Sequence, residues 1–176
     1  MTHSLYLHPL ENGHADLQPL SETLQKAGFL LADNGQGGIR AGDRLMEYIT
    51  YLGCSPSLSS GGVENGLRLH RFDTPRWMGG SAHDRLRFPG CGHPIDDAPK
   101  LLAIGDDWHC PECGATGRLE DIRWRRSAAR ADLFLEIWPV FPREAVPSDA
   151  LLALLRQASG ADWSWFYSLS SETARL

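Results

Sequence analysis

The chain has 176 residues, of which 42% are hydrophobic and 22% are charged, and its net charge is −5 at pH 7. These values are typical of one soluble globular domain and do not fit a strongly basic nucleic-acid-binding protein. No apolar run is long enough to span a bilayer, and the N-terminus, MTHSLYLHPLENG, lacks the basic and apolar regions of a signal peptide. We therefore expect a cytoplasmic protein without a membrane anchor.

The first elements in chain order are a strand and a short helix. Alternating apolar residues in SLYLHPL (4–10) predict the strand. The helix is predicted over PLSETLQKAGF (19–29), with Ser21 as its N-cap and Gly28 as its C-terminal stop. FLLAD (29–33) then predicts a buried strand.

A second helix is predicted over AGDRLMEYITYLG (41–53), where apolar residues recur at helical spacing. After a Ser/Gly-rich loop, LRLHRFD (67–73) predicts a strand with one wet face, and RLRF (85–88) predicts a brief strand. The first 53 residues are therefore predicted to form a strand, a helix, a strand and a helix in that order.

The last third of the chain predicts a strand, a helix and a strand. ADLFLEIWPVF (131–141) is strongly apolar, and DWSWFYS (162–168) places Trp163, Trp165 and Tyr167 on one face. That face fits the core or a surface for self-association into a homodimer. VPSDALLALLRQASG (146–160) is the clearest helix, capped by Ser148 or Asp149 and stopped by Gly160.

These elements predict an α+β protein: a mainly antiparallel sheet with two or three helices. We expect one domain over residues 1–176, with a metal-binding hairpin module inserted at 86–125.

Three of the four cysteines, Cys91, Cys110 and Cys113, lie within 23 residues, whereas Cys54 stands apart. In HCPECG, a C-x2-C turn supplies two sulfurs to one metal; Pro111 fixes φ, and Gly114 can adopt the positive φ that the exit from the turn needs. The sequence therefore predicts a zinc site.

Two other readings of the C-x2-C turn remain open. In the first, the two cysteines are buried, inert thiols. In the second, they form a redox dithiol like that of glutaredoxin-like proteins. A redox dithiol needs its first cysteine at a helix N-terminus. The following segment, GATGRLEDIRW, is a poor helix because it begins with two closely spaced glycines.

The fourth metal ligand is not fixed by the pattern. In FPGCGHP, Phe88 stands where the first cysteine of a knuckle is expected, so only Cys91 of that turn is a thiol ligand. We favour His93, which is close to Cys91; His83, His109 and water are the alternatives. His109 adjoins Cys110, and alternation along a strand turns neighbouring side chains to opposite faces.

Residues 86–125 resemble a zinc ribbon, and that resemblance implies a structural zinc ion. With Phe88 in place of a ribbon cysteine, the ligand set that we expect is Cys91, His93, Cys110 and Cys113. GDRLMEYITYLGCSP and FLEIWPVFPREAVPSDALLALLRQASG are similar to segments of a group of small proteobacterial proteins of unassigned function, some labelled as sugar ABC transporter ATPases. The sequence contradicts that label for this chain. Such an ATPase needs a glycine-rich phosphate loop with a lysine, and neither Lys26 nor Lys100 lies in one.

The motifs favour a binding protein over an enzyme, because G-x-S-x-G, H-E-x-x-H and the H-x-E of zinc deaminases are absent. We expect a structural zinc ion in a module that binds a protein partner. The alternative is a small enzyme with a three-ligand catalytic zinc. Nucleic acid is a weaker candidate partner, which would be bound through arginines clustered around Trp124. The alternative interpretation of this segment is an ordinary solvent-exposed strand face without a binding role. These arginines are Arg118, Arg123, Arg125, Arg126 and Arg130.

Overall fold

The computed structural model describes residues 3–13, 16–31, 39–52, 66–80, 85–140 and 144–169. The ordered elements are those of an α+β protein, as predicted, with mainly antiparallel strands. Within the described residues there are four α-helices rather than two or three. Cys54, His83 and the Ser/Gly-rich loop lie outside these ranges. No helix of the described residues has the length and apolarity needed to cross a membrane.

The strands and helices follow in chain order. The strands are β1 (His3–Pro9), β2 (Leu30–Leu31), β3 (Ile39–Ala41), β4 (Ile49–Tyr51), β5 (Gly66–Gly79), β6 (Asp107–His109), β7 (Thr116–Arg118), β8 (Ala128–Val140), β9 (Ala145–Pro147) and β10 (Trp163–Leu169). The helices are α1 (Leu17–Lys26), α2 (Leu45–Tyr48), α3 (Ala98–Ile104) and α4 (Asp149–Ser159).

Six of the strands form one sheet in the order β10-β1-β8-β5-β3-β2, and its pairs are antiparallel. Strands β5 and β8 are the long ones, and their register shifts between Arg71 and Arg76. Two further two-stranded sheets pair β4 with β9 and β6 with β7. The long β5–β8 pair carries the chain from the main sheet to the cysteine segment.

One face of the main sheet is covered by α1 and α4. Leu133, Leu135 and Ile137 of β8 are buried there together with Leu20 and Leu24 of α1 and leucines of α4. Trp163 and Tyr167 are buried in the same cluster, and Trp165 packs against it. The aromatic face of β10 is therefore part of the core.

The other face of the sheet holds a buried carboxylate among aromatic rings. Glu136 is fully buried, and its Oε1 accepts hydrogen bonds from the hydroxyls of Ser4 and Tyr6 at 2.8 and 2.9 Å. Its Oε2 lies 2.7 Å from His70 Nε2. The polar atoms of this face are thus paired across three adjacent strands, which offsets the cost of burying a charge.

Two helix predictions are corrected by the structure. Helix α1 begins at Leu17, after Asp16, so Ser21 lies inside the helix and is not its N-cap. The predicted helix over 41–53 is helical only at Leu45–Tyr48, and β4 follows directly and pairs with β9. The β-branched Ile49 and Thr50 favour an extended strand once a pairing partner is available. Helix α4 matches its prediction, with Ser148 as the cap.

Candidate metal centre

The second cysteine turn lies at the tip of the β6–β7 hairpin. Asp107, Trp108 and His109 pair with Arg118, Gly117 and Thr116, and the turn Cys110–Cys113 joins the strands. The N–H of Cys110 donates to Ala115 O at 2.8 Å, and the N–H of Gly114 donates to Cys110 O at 3.0 Å. Gly114 has a φ of 74°, the positive value expected from the sequence.

A close approach across this hairpin requires glycine at position 117. A Cβ placed there would lie 2.7 Å from Cζ2 of Trp108, the residue directly opposite. The indole can therefore lie flat across the hairpin. This packing keeps Trp108 buried beneath the metal turn.

The first turn is closed by its own backbone hydrogen bonds. The N–H of Phe88 donates to His93 O at 2.9 Å, and the N–H of Gly92 donates to Phe88 O at 3.1 Å. The brief strand predicted over 85–88 is reduced to one isolated bridge, between Arg87 and Pro94. This turn presents Cys91 toward the hairpin. Between the two turns runs α3, a helix that the sequence reading missed. Its start signal is Asp97, whose side chain accepts the N–H of Lys100 at 3.0 Å.

The three cysteines converge. The sulfurs of Cys91, Cys110 and Cys113 all lie within 4.8 Å of one another, and those of Cys91 and Cys110 are 3.5 Å apart. A tetrahedral zinc ion with Zn–S bonds of about 2.3 Å separates its sulfurs by about 3.8 Å. The spacing of the three sulfurs therefore fits a metal ion bound between them. Cys110 is buried, and the other two are exposed.

The surroundings of the sulfurs shift their acidity in opposite directions. Burial raises the pKa of the Cys110 thiol, but the backbone N–H groups of Cys113 and Glu112 and the two neighbouring thiols outweigh it, so the pKa is lowered. For Cys91, the N–H of His93 lowers the pKa, but the thiols of Cys113 and Cys110, together with desolvation, raise it overall. Cys110 is therefore the more acidic of these two thiols, and the thiolate is the form that could bind a metal.

Phe88 is a core residue. It is 6% exposed, and its ring lies 5.4 Å from that of Trp108 between centroids. It belongs to a buried cluster beneath the two turns, formed by Leu86, Phe88, Ala98, Trp108, Cys110, Leu119, Ile122, Trp124 and Ala128. This cluster also includes Ala128 of β8 and packs against Trp77 of β5, so it joins the cysteine turns to the main sheet.

The histidines predicted as fourth ligands are placed differently from the cysteines. The nitrogens of His93 do not join the group of three sulfurs within 4.8 Å, and its ring stacks on Phe88 at 18° with centroids 6.5 Å apart. His93 as a ligand therefore stays a prediction. His109 is exposed between buried Trp108 and Cys110, as strand alternation predicts. His83 lies outside the described residues.

The five arginines around Trp124 differ in their surroundings. Arg118 lies 3.7 Å from Glu120, and Arg130 lies 3.4 Å from Asp106. Arg123 is exposed. Arg125 and Arg126 are the central residues of a turn with φ of 51° and 63°, closed by the N–H of Ser127 donating to Trp124 O at 3.0 Å.

Comparisons with protein-family models, with curated proteins and with solved structures find no match to this chain.

Proposed function

We propose that this chain is a cytoplasmic zinc-binding protein whose structural zinc closes a zinc-ribbon-like module used to bind a protein partner. The observation that carries the metal site is the convergence of three sulfurs from two separate turns. Three thiolates at this spacing suit Zn²⁺, which is bound by sulfur and nitrogen ligands in a tetrahedron. The two glycine-containing turns and the β6–β7 hairpin support the resemblance to a zinc ribbon.

Metal content tests this function directly. The purified, reduced protein is expected to bind one zinc ion per chain in native mass spectrometry and elemental analysis. Cys110→Ser and Cys113→Ser should each lose the ion, because two thiolates bind zinc too weakly to retain it through gel filtration. Cys54→Ser is the matched control and should keep full occupancy. A protein that binds no zinc, or binds it equally well without Cys110, would overturn the proposal.

A protein partner is favoured over nucleic acid by the state of the arginines. Arg118 and Arg130 face acidic side chains, and Arg126 lies 3.7 Å above the Trp165 ring, so that indole face is covered. Binding of a labelled single-stranded oligonucleotide tests the nucleic-acid branch. Phosphate contacts make affinity fall with added salt and with Arg123→Ala or Arg125→Ala. If the oligonucleotide does not bind, or if its affinity changes neither with added salt nor with these substitutions, nucleic acid is not the partner.

The alternative function is a small enzyme with a catalytic zinc. One observation favours it: the described donor group contains three ligands, the number found in catalytic sites with an open position for water. A catalytic site also needs a general base within reach of that water. No carboxylate of the described residues joins the donor group within 4.8 Å. A metal-bound water beside a carboxylate in a zinc-loaded crystal structure would favour the enzyme.

A further inference from the structure

The proposed metal lacks a fourth ligand among the described residues. Phe88 cannot donate to a metal, although it stands where a fourth cysteine is expected. The His93 ring is stacked on Phe88, and its backbone is fixed by the bond from the Phe88 N–H to its carbonyl. No nitrogen or carboxylate oxygen in the described ranges joins the three sulfurs within 4.8 Å. Zinc bound by three thiolates still needs one more donor to complete its tetrahedron.

The metal position is open to the outside. Cys91 and Cys113 are exposed, and only Cys110 lies in the core. An ion held by all three therefore lies at the protein surface, with Cys110 beneath it. A donor from another molecule can reach the ion without displacing any core side chain.

A groove lies beside the cysteine turn. It has a volume of about 210 Å³, and Pro111, the residue after Cys110, forms part of its wall. The first turn contributes Phe88 and His93, and α3 contributes Leu101 and Ile104. Ile104 is 71% exposed, so it offers apolar surface that nothing in the described chain covers. The groove can hold an apolar group attached to a donor that reaches the metal.

The charges around the site favour a neutral donor. Three thiolates already outweigh the two positive charges of Zn²⁺, and Asp96 and Asp97 line the groove, with Lys100 as its one cation among the lining residues. A fourth thiolate or a carboxylate would add another negative charge. An imidazole nitrogen is neutral and is a preferred zinc ligand.

The geometry points to a metal centre completed from outside the chain: the fourth ligand is the imidazole of a histidine on a partner protein, whose neighbouring apolar side chain fills the groove beside Ile104. This inference rests on the proposed zinc site. It makes the site a docking point whose affinity for the partner depends on the metal.

Cobalt substitution tests this inference, because Co²⁺ in a thiolate site has sulfur charge-transfer bands and visible d–d bands. Imidazole added to the Co²⁺-loaded protein is expected to shift the d–d bands in a saturable way. Imidazole should still shift these bands in the double variant His83→Ala/His93→Ala, which removes the two histidines of this chain favoured as internal ligands, although His93 also lines the groove. 4-Phenylimidazole should saturate at about tenfold lower concentration than imidazole, because its ring buries apolar surface in the groove. Ile104→Ala should reduce that tenfold preference and leave imidazole binding as it was.

The outcomes separate this inference from the zinc proposal. Absence of the sulfur charge-transfer bands would show that the proposed metal site itself is wrong. Normal bands that do not respond to imidazole, or d–d bands altered by His83→Ala/His93→Ala before any imidazole is added, would overturn the external ligand alone. If the d–d bands shift without added imidazole as the protein concentration rises, and sedimentation velocity shows dimerisation over the same range, the donor is a second copy of this chain. A response without dimerisation is the result expected for a histidine on a different protein.

Discussion

Arg125 and Arg126 occupy a turn conformation that glycine and asparagine adopt more readily. Both have positive φ, and for a residue with a Cβ the left-handed region costs roughly 1–2 kcal/mol. Arg126 recovers part of this cost through its stack on Trp165, 3.7 Å from the ring centroid, whereas Arg125 is exposed. Substitution by glycine should therefore stabilise the protein more at position 125 than at position 126.

We expect Arg125→Gly to raise the free energy of unfolding by about 1 kcal/mol, because it removes backbone strain without losing a packing contact. Arg126→Gly should gain less, since it also loses a cation–π contact of about 0.5–1 kcal/mol. Urea denaturation measures both. Arg123→Gly, at a position without positive φ, is the control and should destabilise. A destabilised Arg125→Gly variant would contradict the strain.

His8 should make stability depend on pH. Desolvation lowers its pKa in the folded protein, and the carbonyl of Pro9 opposes this only in part. Below the unfolded value of about 6.5, the unfolded chain binds the proton more readily, so acid favours unfolding. The ring lies against Phe134 and Phe166, so His8→Phe fits among apolar neighbours.

Urea denaturation at about pH 7.5 and about pH 5 should show that His8→Phe loses less stability on acidification than the native chain does. His109→Gln, at an exposed site, should behave like the native protein. An equal loss in all three proteins would assign the pH dependence to other groups.

At the scale of single residues, the sequence predicted a cluster of Cys91, Cys110 and Cys113, and these sulfurs do lie together, but it did not predict how the surrounding residues pack. The C-x2-C turn and Gly114 were predictable because their requirement is local: two sulfurs and a positive φ within five residues. The role of Phe88 was not, because only the folded chain shows Trp108 beneath it and the His93 ring against it. From the sequence alone, Phe88 shows only that a cysteine ligand is missing, because its burial depends on residues that are distant along the chain.

Helix α4 shows how a cap sets an element's boundary. The Ser148 hydroxyl oxygen accepts a hydrogen bond from the N–H of Leu151 at 3.2 Å, and Gly160 follows the last turn. Leu151 and Leu155 then face the core, fully buried. The cap therefore sets where the helix begins, and the i, i+4 spacing of these two leucines sets which face meets the sheet.

We predict that Ser148→Ala lowers the free energy of unfolding by about 1 kcal/mol, because one N–H of the first turn loses its acceptor. Ser21→Ala is the matched control: Ser21 lies inside α1 and bonds only an exposed Gln25 side chain at 3.3 Å, so it should be neutral or slightly stabilising. Thermal unfolding of both variants checks the contrast. A larger loss at Ser21 would contradict the helix start at Leu17.

Among the elements, those with strong local signals were predicted, and most of the short ones were not; β2, which lies within the predicted strand 29–33, is an exception. Strands β1, β8 and β10 and helix α4 follow from apolar patterning and caps. Strands β4 and β9 are three residues each and exist only because they pair across nearly a hundred residues of chain. No window of sequence contains that pairing, so the extended part of 41–53 was read as helix.

At the scale of the whole molecule, two features would stabilise the cysteine turns in the zinc-loaded protein: the proposed metal ion and an apolar cluster. Small zinc modules without a core unfold when the metal leaves. Here nine buried residues lie under the turns, and the cluster includes Ala128 of the central strand β8. Folding of the module should therefore depend on zinc only in part.

Removal of zinc with a chelator should lower the melting temperature without unfolding the chain at 25 °C. At a free zinc concentration about 100 times the dissociation constant, binding contributes about 3 kcal/mol, or roughly 5–10 °C for a chain of this size. Calorimetry with and without chelator measures the shift. Cys113→Ser should show no shift. Loss of the far-UV circular dichroism on chelation would mean that the metal alone holds the module together.

The paired turn of Arg125 and Arg126 also closes an end of the main sheet. Strand β10 is the last in the sheet order, and the N–H of Tyr167 on this strand donates to Arg126 O at 3.0 Å. The opposite end is β2, only two residues long. A sheet with a long free edge invites another chain to add a strand, and charged side chains at the edge discourage it. The turn thus pairs one backbone group at the outer edge of β10 and places two arginines beside it. A glycine that relaxes this turn would also remove a charge of the kind that discourages strand addition at such an edge.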